Sequence, residues 1–252
     1  MKIRNHKLVI QYDGTPFEGW QVQVNPETVQ GHLERVLERC WGKPITLYGS
    51  GRTDSGVHAN GQVANFKAEA KFKSIAALQA ALNYYLPPQI RVVKVQYAND
   101  EFHSRFSAKG KEYLYRIYNH PFQDPFEINR SYHVPRPLAI SAMKEAAQHF
   151  VGTHDFASFT SNPGYERETT VRRITDVTVS VKKHVIEIRF RGEGFLYRMV
   201  RNLVGALVKV GLGRMTPAEV KQVLDAKRRS AAPNTAPAHG LYLNKVFYTD
   251  KF

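Results

Sequence analysis

Apolar residues recur along the chain at two spacings, and the alternation between them lays out two similar runs of elements. Leu8 to Tyr12 predicts a strand closed by the turn pair Asp13-Gly14. From Thr28 to Trp41 the spacing becomes helical: Val29, Leu33, Val36, Leu37 and Cys40 share a face, and Gly42 stands just past the end. Ile45 to Tyr48 and Gln62 to Lys67 predict strands on either side of a Gly-rich loop. Ser74 caps a second helix, with Ile75, Leu78, Leu82 and Tyr85 on one face, and Pro87-Pro88 stops it. Arg91 to Tyr97 alternates as a strand. The first half is therefore β-α-β-β-α-β.

The second half repeats that order. Lys111 to Tyr118 is a strand, with Tyr113, Tyr115 and Ile117 on one face, and Ser141 to Phe150 is a helix. Ile174 to Val181 and Val185 to Arg191 form a hairpin across Lys182-Lys183-His184. Phe195 to Val210 is a long helix and Leu241 to Tyr248 the last strand. Thr216-Pro217-Ala218-Glu219 adds a capping box with proline at the first helical position. The pattern predicts an α+β fold of two tandem ferredoxin-like (RNP-like) βαββαβ units, their antiparallel sheets side by side with a central active-site cleft. The expected domains are 1–105 and 106–252. Segments 119–137 and 230–239, rich in proline and polar residues, read as long surface loops.

Composition narrows the class. The 36 Lys+Arg against 22 Asp+Glu leave +14 with His neutral, a charge that suits a polyanionic partner, nucleic acid foremost. A hydrophobic content of 42% supports a buried core despite that charge. The lone cysteine, Cys40, excludes a disulfide framework and a multi-thiolate zinc site, and fits a reducing cytoplasm. Its place on the apolar helix face predicts a core position. No signal peptide is expected after Met-Lys-Ile-Arg-Asn-His-Lys. The longest apolar stretch, Met199 to Leu212, is interrupted by Arg201, Asn202 and Lys209, so no membrane span is expected either.

Familiar sites are missing: there is no Walker A run, no His-Glu-x-x-His, no Cys-x-x-Cys and no Gly-x-Ser-x-Gly. The loop Gly49-Ser50-Gly51-Arg52-Thr53-Asp54 follows a strand, yet it lacks the third glycine and the following helix of a dinucleotide site. What it offers is a carboxylate between glycines that permit close approach of a ligand. Two readings of Asp54 stand side by side: an Asx-turn that bonds its own backbone, or a reactive group. His58 likewise reads as a substrate ligand or as a satisfied structural histidine.

Gly51-Arg52-Thr53-Asp54-Ser55-Gly56-Val57-His58-Ala59 resembles the active-site motif of the tRNA pseudouridine synthase A (TruA) family. Four further segments resemble the family in order: Tyr12-Asp13-Gly14 with Gly19-Trp20-Gln21, Phe102 to Ala108 with Lys111 to Tyr115, Phe195 to Gly205, and Gly240 to Leu243. The resemblance implies isomerisation of uridine to pseudouridine at positions 38, 39 and 40 of the tRNA anticodon stem-loop, with neither metal nor cofactor. It implies Asp54 as the catalytic carboxylate, in the N-terminal domain, and a cytoplasmic homodimer. Positive charge develops at C1′ as a glycosidic bond breaks, and a carboxylate can stabilise it, trap it covalently or take a nearby sugar proton. The target uridine has to be extruded from its stem first. Arg52 is the candidate to fill the gap it leaves. By resemblance Tyr113 stacks on the uracil, its alternative being core packing with Tyr115. By resemblance, too, Arg201 pairs with Asp54 from a polar strip of Arg198, Arg201, Asn202 and Gly205. Leu241 supplies an apolar wall, with Leu243 on the same strand face. The groups Lys109/Lys111/Arg116, Arg167/Arg172/Arg173, Lys182/Lys183 and Lys227/Arg228/Arg229 are candidate phosphate contacts.

Two rival classes remain. A non-catalytic RNA-binding module would leave Asp54 without a purpose, and the chain lacks a consensus RNA-recognition aromatic motif. A nucleoside or glycoside hydrolase would want a second carboxylate, for which Glu18, Asp155 and Glu193 are available.

Overall fold

A computed structural model of the chain describes residues 2–24, 27–162, 164 and 169–249. Arg167, one of the candidate phosphate contacts, lies outside the described residues. The chain divides into two compact units, Met1–Lys109 with Tyr242–Phe252, and Gly110–Leu241.

The first unit runs β1 (Ile3–Tyr12), α1 (Val29–Trp41), β2 (Tyr48–Gly49), β3 (His58–Glu69), α2 (Ile75–Tyr85) and β4 (Ile90–Ala98). β1 lies between β3 and β4, antiparallel to both, and β2 adds antiparallel to β3 at Asn65 and Ala64. The strand order is thus β4-β1-β3-β2, with Leu8 and Ile10 of β1, Phe66 of β3, Leu33 and Leu37 of α1 and Leu82 of α2 all buried. Both helices start where the sequence signals. Thr28 accepts from Gly31 N at 3.2 Å, and Ser74 accepts from Ala77 N at 3.1 Å. Cys40 departs from the core expectation: it sits half-buried in the last turn of α1, and that burial pushes its thiol pKa up.

The strand expected over Ile45 to Tyr48 shrinks to the two residues of β2. Side chains of α1 take the backbone groups that a strand would have paired: Glu34 accepts from Leu47 N, and Gln30 donates to Leu47 O, each at 3.0 Å.

The second unit contains β5 (Gly110–Asn119), β6 (Tyr132–Val134), α3 (Ile140–Gln148), β7 (Gly152–Asp155), β8 (Val171–Lys182), β9 (Val185–Gly192), α4 (Met199–Gly211) and α5 (Pro217–Asp225). Its sheet has the order β5-β9-β8-β7, antiparallel throughout, with β6 parallel beside β5. Helix α3 packs on α4 and α5 through Met143, Ala146 and Ala147. The capping box of α5 forms as expected, Thr216 and Glu219 serving each other.

The last strand, β10 (Leu241–Phe247), changes allegiance at its first residue. Tyr242 and Leu243 pair in parallel with His58 and Ala59 of β3, so Tyr242–Phe252 belong with the first unit. The chain therefore divides after residue 109 and again at 241, rather than once at 105/106.

Candidate active site

The segment from Gly49 to His58 joins β2 to β3, and its backbone is fixed at almost every residue. Gly49 lies against the buried Trp20 indole; a Cβ there would fall 2.5 Å from Trp20 Nε1, so only glycine fits. Ser50 N donates to Val63 O at 2.8 Å, and its hydroxyl donates to Gln62 Oε1 at 2.6 Å. Gln62 returns an amide N–H to Gly51 O at 2.9 Å. Thr53 is held twice: Trp20 N donates to its carbonyl at 3.1 Å, and its hydroxyl is hydrogen-bonded to Tyr12 Oη at 2.8 Å. Burial pushes the Tyr12 phenol far above its usual pKa, with the Thr53 and Gln62 hydrogen bonds pulling the other way, so it stays neutral. Downstream, Gly56 N donates to Phe17 O at 3.3 Å. A turn closes by donation from Val57 N to Asp54 O at 3.1 Å, with Gly56 at φ +74°.

Asp54 is half-exposed on this fixed backbone, beside the exposed Ser55, and Arg52 two residues earlier is exposed, its Nε donating to Gln21 Oε1 at 3.3 Å. The two candidates therefore share one loop of the first unit. His58 sits at the base, only 2% exposed. Its Nδ1 accepts from Gly14 N at 3.0 Å, with Asp13 Oδ1 3.2 Å away, and its ring stacks on Tyr242 at 4.6 Å. Those contacts tie the turn after β1 to β3 and β10, a structural task rather than a ligand's.

Tyr113, Arg201 and Leu241 belong to the second unit. Tyr113 lies on β5 opposite Phe190 of β9, almost buried, with its ring edge-on to Phe195 at 5.0 Å. Tyr115 on the same face is fully buried and donates its hydroxyl to Pro237 O at 2.8 Å. Arg201 stands in the first turn of α4, which starts at Met199 rather than Phe195 because Arg198 adopts φ +57° and breaks the helical run. Arg201 and Ala236 bond reciprocally: Arg201 Nε donates to Ala236 O at 2.8 Å, and Ala236 N donates to Arg201 O at 3.1 Å. Leu241 is buried at the start of β10. The polar strip of α4 is not uniform. Asn202 is fully buried and bonds to Phe159 O, Thr235 and Arg229, which makes it a joint rather than a lining residue.

Of the three carboxylates a hydrolase would recruit, Glu18 is exposed, while Asp155 and Glu193 have other partners. Asp155 accepts from Thr170 Oγ1 at 2.5 Å and Ala157 N at 3.1 Å, and Glu193 pairs with Arg173 at 3.2 Å. Arg172 and Arg173 line a surface cavity of about 370 Å³, and Arg116, Lys182 and Lys183 line another of about 390 Å³. Sequence reasoning gave no role to Tyr12, Trp20, Thr53 or Gln62, which fix the loop. Beyond its place in a segment that carries the resemblance, the inward phase of Tyr12 in β1 is its local signal. Among the described residues, no helix is long and apolar enough to cross a membrane.

A family model described as tRNA pseudouridine synthase matches residues 8–107 and 146–249. The tRNA pseudouridine synthase A of Acetivibrio thermocellus is 44% identical over 246 residues, covering 98% of this chain and 100% of that one. That of Methylacidiphilum infernorum is 44% identical over 248 residues, 98% and 97% of the two chains. That of Bacillus sp. strain KSM-64 is 45% identical over 247 residues, 98% and 100%. Among solved structures, a chain of a Cbf5–Nop10–Gar1 complex aligns over 81% of this chain and 54% of its own, at 13% identity and TM-score 0.32. That last likeness is too slight to bear on fold or function.

Proposed function

The chain belongs to the tRNA pseudouridine synthase family, and from that premise we propose that it isomerises uridine at positions 38, 39 and 40 of the tRNA anticodon stem-loop, with Asp54 as the catalytic carboxylate. The reaction breaks the N1–C1′ bond and makes a C5–C1′ bond; C5 loses a proton and N1 gains one, so nothing is consumed. Asp54 answers the positive charge that develops at C1′ as the first bond lengthens. Arg52, Tyr113, Arg201 and Leu241 bind the substrate: Arg52 fills the stack vacated by the extruded nucleotide, and Tyr113 stacks on the uracil. The enzyme works in the cytoplasm as a homodimer.

The observation that carries this reading is the contrast at the loop. Its backbone is fastened by Trp20, Gln62 and Phe17 and its Thr53 hydroxyl by Tyr12, while the Asp54 side chain stays half-exposed. A group that must meet one sugar carbon within a few tenths of an ångström needs that kind of support. Of the two rivals, the binding module gives no use to such a carboxylate, and the hydrolase finds Asp155 and Glu193 engaged by Thr170 and Arg173.

The test is to incubate the protein with tRNA transcripts carrying uridine at 38, 39 or 40 and to map pseudouridine by chemical labelling and primer extension. The wild type should modify those positions. Asp54→Asn should lose at least about a thousandfold in rate while binding the same tRNA within a few-fold. Activity retained in Asp54→Asn would remove the catalytic assignment, and modification elsewhere in the tRNA would remove the positional one.

A further inference from the structure

We propose that Tyr48, His103 and Phe106 form a stacking platform for bases of the RNA substrate that flank the reacting uridine, an inference that rests on the reading of the protein as a tRNA-modifying enzyme. The segment Phe102-His103-Ser104-Arg105-Phe106-Ser107-Ala108 has no part in the mechanism above, yet it is fastened as firmly as the Asp54 loop. Ser104 donates its hydroxyl to Tyr48 O at 2.5 Å and its N–H to Asn65 Oδ1 at 2.8 Å. Tyr248 Oη donates to Ser104 O at 2.7 Å, and Asn5 Nδ2 donates to Phe102 O at 2.8 Å. His103 and Ser107 close a turn in both directions, at 2.9 and 3.0 Å.

On this frame three rings run in sequence. Tyr48 and His103 have centroids 5.1 Å apart, and His103 and Phe106 4.5 Å apart at 38°. His103 Nδ1 accepts from Arg105 N at 3.1 Å, so its proton sits on Nε2. Burial first, and the Arg105 charge second, hold its pKa below the usual imidazole range, so the middle ring is neutral. The two ends are open: Phe106 is 76% exposed and Tyr48 48%. The Arg105 guanidinium lies 5.5 Å from the Phe106 centroid.

A large aromatic ring held outward contributes little to the core, so the hydrogen bonds beneath it serve something outside the unit. Aromatic rings beside a cation suit nucleobases, whose π-faces stack on such rings whatever the sequence, and the +14 charge suits the phosphates between them. Chain length limits which bases these are. Tyr48 precedes Asp54 by six residues, a span of at most about 22 Å. That equals about six stacked nucleotides at roughly 3.4 Å each. The platform therefore serves the same stem-loop as Asp54, not a distant arm of the tRNA.

The test compares Phe106→Leu, which keeps the apolar bulk, with Phe106→Trp, which keeps the π-face. Steady-state kinetics on a tRNA transcript should show KM raised about 5- to 150-fold in the Leu variant with kcat within about threefold, and KM near wild type in the Trp variant. Equal KM values for Leu and Phe would overturn the proposal. So would a change in oligomeric mass on Phe106→Leu, which would make the ring a protein–protein contact. A second measurement needs only binding. Anticodon stem-loop RNAs with 2-aminopurine at single loop positions should show quenching at one or two of them with the wild type and not with Phe106→Leu. Absence of quenching at every position would overturn the platform. If instead the wild type forms no pseudouridine, the proposed function fails, and the quenching experiment still decides whether the platform binds bases.

Discussion

The hydroxyl of Tyr12 meets two residues that support the loop, Gln62 and, at 2.8 Å, Thr53, the residue before Asp54. Tyr12→Phe removes these contacts and leaves the ring in place, so Thr53 loses its buried partner and Asp54 loses part of its support. Activity should fall about tenfold in kcat with KM nearly unchanged. The melting temperature should drop by about 2–8 °C, as expected for ~1–2 kcal/mol in a protein of this size. Equal changes in KM and kcat would say that Tyr12 acts on binding instead. At this scale the sequence is informative where the motif is local. Arg52, Asp54 and Gly56 are legible together because a short glycine-rich turn has few solutions. The Tyr12–Thr53 bond spans 41 residues and leaves no trace in any periodicity. His58 shows the same limit: both of its readings fit the loop, and only the neighbours Gly14 and Tyr242 decide for a structural role.

Helices and strands were legible where their ends carry their own chemistry. Thr28, Ser74 and Thr216 start α1, α2 and α5 because each side chain meets a backbone N–H of the first turn. Helix α4 carries no such signal. Its start is set by the left-handed Arg198, and apolar periodicity alone ran the expected helix back to Phe195. The strand expected at Ile45 failed for the opposite reason, since Gln30 and Glu34 of α1 claim the backbone of Leu47. The short strands β6 and β7 escaped notice because three or four residues are too few to show alternation. Helix α4 also depends on a polar joint inside its buried face. Asn202 donates to Phe159 O at 2.9 Å and accepts from Thr235 Oγ1 at 2.6 Å and Arg229 at 3.2 Å. Asn202→Leu keeps the number and branching of side-chain heavy atoms but strands those partners, at a cost of about 3 kcal/mol, so the melting temperature should fall by about 6–12 °C. A calorimetric scan showing a shift below 2 °C would mean that water or a neighbour replaces the amide.

For the whole molecule, charge supplies attraction without selectivity. With 36 basic residues against 22 acidic ones, tRNA binding should weaken steeply with salt, each neutralised phosphate contributing a slope of about −0.7 to −0.9 in log–log form. Four or more contacts would give a slope near −3 or steeper; a slope near zero, measured by filter binding, would separate the charge from the binding. The division into units was only half legible. Both halves announce the same order of elements, but nothing in residues 241–247 says that they finish the sheet of the first half, because a parallel pairing of two residues with His58 and Ala59 is settled by three-dimensional proximity. That late pairing has a consequence for synthesis. Between Lys109 and Tyr242 lie 132 residues, which take a ribosome about 7–26 s to translate at roughly 5–20 residues per second. Throughout that interval the nascent first unit waits with the edge of β3 beside the Asp54 loop unpaired, a site for mispairing or for a chaperone. A ribosome that stops early leaves the strand missing for good. Completion of the chain thereby becomes a condition for a finished sheet, and a truncated product is marked by an open edge that proteolysis can recognise.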